Sequence, residues 1–142
     1  LTDQLYIKVM RIRSIERTGE ARVDEGIIPE FIGLVNYAIM GQIQLELGEA
    51  DSVDLEVEDA LRLYYAVAQR TFRLMMDKNH DYGEAWRSMR TTSFTDMILS
   101  KVLRTKQIED NNGATLVSEG IEANYMDIVN YAIFALIRLM VE

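Results

Sequence analysis

The sequence contains itself twice. Thr2-Asp3, Lys8, Arg11, Ile15-Glu16, Gly19, Val23, Glu25-Gly26-Ile27, Val35-Asn36-Tyr37-Ala38-Ile39, Ile43 and Leu45 return in the same order. The second set is Thr95-Asp96, Lys101, Arg104, Ile108-Glu109, Gly113, Val117, Glu119-Gly120-Ile121, Val129-Asn130-Tyr131-Ala132-Ile133, Ile137 and Leu139, with one extra residue near Asn112. Chance does not produce that many matches in register, and a self-match of this kind sets the architecture before any local reading. A twofold repeat of this length is a duplication, not a solenoid.

Each unit reads as two helices. The first opens at Thr2 or Thr95, an N-cap residue type followed by Asp in the first turn. In the first unit Leu5, Val9, Ile12 and Ile15 recur at helical spacing. Gly19 and Asn111-Asn112-Gly113 end these helices. The second helix opens near Pro29 and closes at Gly48, and its counterpart runs from about Glu122 to the C-terminus. Both are apolar almost all round, which predicts that they pack against each other at the centre. Between the units a third helix spans about Leu55 to Lys78, with Leu61, Tyr65, Ala68, Phe72 and Met75 as its apolar stripe. Asp81 and Glu84 have capping-box spacing for a short helix carrying Trp86 and Met89. By the order of elements, the first unit should have such a helix before Leu1.

The fold expectation is therefore an all-α helical bundle with pseudo-twofold symmetry. Residues 1–48 form the first repeat without its opening helix, and residues 49–142 form the connecting helix and second repeat, in one compact domain. A single Pro and few Gly agree with helices over a turn-rich β fold. The charge of -8, from 23 acids and 15 bases, makes the chain a poor candidate for binding a nucleic-acid backbone. The absence of cysteine removes disulfides, thiolate metal sites and thiol nucleophiles, and fits a reducing, cytoplasmic setting. The longest apolar stretch, Ile128 to Met140, is too short and too polar to span a membrane.

Three groups of residues carry candidate chemistry. Tyr82 and Trp86 lie four apart, with Lys78, Arg87 and Arg90 nearby; they could stack a base and hold phosphates. The plainer reading makes Trp86 a core anchor. Lys101 and Arg104, like Lys8 and Arg11, share a helical face and suit an anion. Their plainer role is to pair with Asp3, Asp96, Glu25 or Glu119. The third group is the acid face of the long helices: Glu30, Gly33 and Asn36 in one unit, Asn124, Asp127 and Asn130 in the other. Two acids three apart would suit Mg²⁺, but each unit keeps only one of the pair. His80 is the single histidine, with no nucleophilic triad around it.

The pattern K-x-x-D-Y-G-x-x-W, then T-D, K-x-x-R, E-G-I and V-N-Y-A, resembles the nucleotide modification associated domain 1 family. Its residues here are Lys78, Asp81, Tyr82, Gly83, Trp86, Thr95, Asp96, Lys101, Arg104, Glu119, Gly120, Ile121 and Val129 to Ala132. The resemblance covers most of the chain apart from the connecting helix and implies a link to modified-nucleotide metabolism. A looser similarity runs to the all-α MazG-like nucleoside triphosphate pyrophosphohydrolases, through the phase of Asn124-x-x-Asp127 and Glu30-x-x-Gly33. It would imply Mg²⁺-dependent chemistry.

The ligand set drawn from these readings is Lys78, Asp81, Tyr82, Trp86, Arg87, Lys101, Arg104 and Asn130, with Glu119 and Asp127 as metal ligands. The expected ligand is a nucleotide or modified nucleotide, bound or hydrolysed by a chain that can also self-associate. The alternative is a non-catalytic helical interaction or nucleotide-sensing module.

Overall fold

The computed structural model describes residues 1–19, 26–47, 56–111 and 120–141. They form α1 (Thr2–Thr18), α2 (Ile27–Leu47), α3 (Val57–Tyr82), a 3₁₀ turn (Ala85–Ser88), α4 (Thr91–Asp110) and α5 (Ile121–Met140). No strand occurs among the described residues, and the protein is an all-α bundle.

The most extensive packing joins α2 to α5, as their all-round apolarity predicts. Phe31, Leu34, Ala38 and Ile39 of α2 share one core with Ile128, Val129, Ala132, Phe134 and Ala135 of α5. Leu5, Val9 and Ile12 of α1 and Phe94, Ile98 and Val102 of α4 complete that core. The apolar character of α2 is not fully used, since Ile32, Met40 and Leu47 face solvent. No helix among the described residues is long and apolar enough to cross a membrane.

Several helix boundaries differ from the sequence reading, and hydroxyl chemistry explains two of them. Thr2 is the first helical residue and Leu1 the cap, while α4 starts at Thr91, a turn before Thr95. Neither Thr2 nor Thr95 caps its helix. Thr2 donates to Glu109 at 2.6 Å and Thr95 donates to Glu16 at 3.1 Å. These are the same bond with the units exchanged, because Thr2 matches Thr95 and Glu16 matches Glu109 in the repeat.

The chain leaving α3 also departs from expectation. α3 continues to Tyr82 and is closed by Gly83 at φ 61°, whose N–H reaches the Asn79 carbonyl. Asp81 therefore sits in the last turn of α3, and Asp81 and Glu84 form no capping box. Glu84 follows at φ 59°, a left-handed conformation uncommon outside glycine, and its carboxylate pairs with Arg87. Two successive left-handed residues turn the chain back, and Ala85–Ser88 is a single 3₁₀ turn rather than an α-helix.

Candidate functional site

The chain reversal at Gly83 delivers Trp86 onto α5. Its ring stacks on Phe134 at 4.5 Å with the planes 6° apart, and the Arg87 guanidinium lies over the ring at 4.5 Å. Trp86 is 7% exposed, so it has no open face for a base and acts as the anchor that fixes the 3₁₀ turn. Tyr82, one turn earlier in the chain, is 72% exposed.

Between α3, the 3₁₀ turn and α5 lies a cavity of about 310 Å³. Tyr82, Trp86 and Phe134 line it with Tyr131 and the soft side chains of Met75, Met89 and Met97; Lys78, Asp127 and Asn130 supply polar groups. Lys78 donates to one oxygen of Asp127 at 2.9 Å, and Lys101 approaches the other at 3.1 Å. Burial works against the Lys78 charge, but the hydrogen bond and charge of Asp127, with smaller contributions from Tyr131 and Tyr82, outweigh it and raise the lysine pKa. Burial and the Asp127 charge raise the Tyr131 phenol, so it stays a neutral donor. Asn130 is buried and donates to the Thr71 carbonyl at 3.4 Å. Its Oδ1 and the Trp86 Nε1 are buried without a hydrogen-bond partner, a state that is costly for polar atoms.

The first unit arranges the same residue types differently. Glu30, 8% exposed, takes both Lys8 at 3.3 Å and Arg11 at 2.8 Å. A Cβ at Gly33 would lie 2.7 Å from the Lys8 side chain, which occupies the space of the missing acid. In the second unit the Glu30 counterpart is the neutral Asn124, so Lys101 turns to Asp127. Arg104 thus lacks a carboxylate at the position where Arg11 finds one. Each unit shares one carboxylate between two cations, and among the described residues the second sets that cluster on the rim of a cavity with aromatic walls.

Of the expected ligand set, Lys78, Tyr82, Trp86, Asp127 and Asn130 line this cavity, and Lys101 reaches its rim through Asp127. Asp81 is exposed beside His80, and Arg104 lines a shallow depression with Asp96, Leu99 and Ser100. Arg87 is engaged by Glu84 and Trp86. The wider set is therefore not a single pocket. Glu119 lies outside the described residues. Sequence reasoning missed Phe134 and Met97 as cavity walls and took Met75 for part of a stripe, because apolar residues at helical spacing look the same whether they line a cavity or a core.

The described residues do not assemble a donor set for Mg²⁺. Both oxygens of Asp127 are taken by ammonium groups, and among the described residues no three acidic or imidazole side chains converge on one point. These residues alone do not build a divalent-cation site. A larger cavity, about 680 Å³, opens at another face between the ends of α1, α2, α4 and α5. Its charged lining is Asp3, Glu109 and Asp110 against Lys106, a balance that repels an anionic ligand.

No curated protein and no solved structure matches the chain significantly. The family model described as nucleotide modification associated domain 1 matches residues 1–45 and 78–139. That match takes in both repeats, the Lys78–Trp86 segment and every described residue of the cavity except Met75, and it omits most of α3. The chain belongs to the nucleotide modification associated domain 1 family.

Proposed function

We propose that this protein binds a nucleotide or modified nucleotide in the cavity between α3, the 3₁₀ turn and α5. One observation carries the reading: two lysines share a single carboxylate at the rim of a cavity walled by aromatic and methionine side chains. Lys78 and Lys101 hold phosphate oxygens, and the exposed ring of Tyr82 stacks the base. The family name supports the ligand class.

The same reading takes the bundle as a duplicated unit with pseudo-twofold symmetry, supported by the exchanged Thr2–Glu109 and Thr95–Glu16 bonds. Its first unit is scaffold, since Glu30 closes off Lys8 and Arg11, and its second unit carries the ligand.

Thermal denaturation against a panel of nucleoside mono-, di- and triphosphates, with and without Mg²⁺, tests the proposal, because a ligand of the native state raises the melting temperature. Calorimetry with the best ligand then compares variants. Lys101→Ala should lose about 1.5–3 kcal/mol of binding, the worth of a charge-assisted hydrogen bond. Tyr82→Ala should lose about 1–3 kcal/mol, the worth of a stacked base, with little change in melting temperature. A panel without a stabilising nucleotide, or variants that bind as the parent does, would overturn the assignment.

A further inference from the structure

α3 is the longest helix, 26 residues, yet Val67 and Thr71 are its only fully buried residues. Much of its apolar stripe faces solvent, although Ala68 and Met75 pack against the core. Tyr65 is 63% exposed, Phe72 54%, Leu61 50% and Met76 52%. Leu61, Tyr65, Phe72 and Met76 follow one another at steps of four, seven and four residues and share one face of the helix. An ordinary surface helix turns such a stripe inward.

We propose that α3 pairs with α3 of a second copy of this chain, antiparallel, to form a symmetric dimer. Three features select that occupant. The first is self-complementarity. Leu61, Tyr65, Phe72 and Met76 are spaced symmetrically about Ala68 and Gln69, so a twofold axis there sets large side chains against large ones at both ends. It leaves the small Ala68 at the crossing, as an isologous contact requires. The second is charge. Parallel pairing would set Glu58 and Asp59 against their own copies, whereas antiparallel pairing brings that acidic first turn toward Arg73 of the other chain. The third is area. Tyr65 and Phe72 together leave on the order of 200 Å² bare, taking ~200 Å² for a whole aromatic side chain. Val57, Leu61 and Met76 extend the stripe toward the ~800 Å² per partner of a standard interface.

The dimer does not depend on what the candidate cavity binds.

Two experiments on the full chain test the proposal. In sedimentation equilibrium at tens of micromolar the protein should weigh two chains of 16.3 kDa, and Phe72→Glu should halve that mass with the helical circular dichroism retained. A parent chain that stays monomeric there, or a folded Phe72→Glu variant that remains dimeric, overturns it. The second experiment does not need the charged variant to fold. The chain has no cysteine, so in Ala68→Cys any disulfide must join two copies. Mild oxidation should cross-link this variant nearly completely and leave Ser14→Cys, on α1, uncross-linked. Equal cross-linking of the two, or none at Ala68→Cys, overturns the α3 seam.

Discussion

Three elements meet on Asp127: Lys78 from α3, Lys101 from α4, and the residue's own α5. Replacing it with Asn keeps the shape and removes the charge that both lysines answer. Lys78 is about half exposed and Lys101 about a quarter, so solvent screens much of the loss. Asp127→Asn should lower unfolding free energy by only about 1–2 kcal/mol in urea titrations. In the proposed site the same change should tighten phosphate binding, because a negative charge leaves the rim; calorimetry would register weaker binding if Asp127 instead orders the lysines for the ligand. The pH dependence follows from Lys78. Its folded pKa is raised, so its stabilisation is present below the ordinary lysine range and fades as pH rises through the raised value. The variant should lose that alkaline decline. Lys78, Lys101, Tyr82 and Asp127 stood out in the sequence because charge and aromaticity are written in residue type. Arg104 and Asp81 stood out equally and lie elsewhere, since a three- or four-residue spacing names a helical face but not what that face meets.

At the level of elements, the turn from α3 into the 3₁₀ segment decides where Trp86 goes. Gly83 sits at φ 61°, and a Cβ added there would meet nothing within 4 Å, so the cost of Gly83→Ala is backbone strain alone. That substitution should cost about 1–2 kcal/mol, read as a lower melting temperature with reduced burial of the single tryptophan by fluorescence. An unchanged melting temperature would mean that the left-handed turn is not what holds Trp86 on Phe134. Each of the five α-helices could be read from periodicity, and the α2–α5 contact from all-round apolarity. The starts of α1 and α4 could not, because Thr2 and Thr95 are good caps locally and their hydroxyls are claimed by glutamates of the other unit. α3 misleads in the opposite way: its stripe is as amphipathic as a core helix, but the bundle holds α3 by another face, where Thr71 receives Gln42 at 3.3 Å and Asn130 at 3.4 Å.

Across the whole molecule, the two units are tied by the exchanged threonine–glutamate bonds. Burial raises the Glu16 carboxyl, against the Thr95 hydrogen bond and the Arg13 charge, which lower it. A carboxyl raised in the folded state stabilises fully below its ordinary pKa, and that contribution is lost as pH rises through the folded value. Thr95→Val removes a lowering influence. It should therefore steepen the fall in stability as pH rises through the raised carboxyl pKa, while Glu16→Gln abolishes that fall; denaturant titrations from acid to neutral pH would expose a wrong sign. The repeat announced two like units, yet it did not announce how differently they use their charges, which rests on two positions in each long helix. One unit holds Glu30 and Gly33, the other Asn124 and Asp127. In evolutionary terms, a gene that doubles relieves each copy of the duty to keep everything. Here each half carries an acid where its sibling has none, and the lysine common to both pairs with the acid its own half holds. The same lysine therefore answers a different neighbour in each half, so altering Lys8 and altering Lys101 are not equivalent changes.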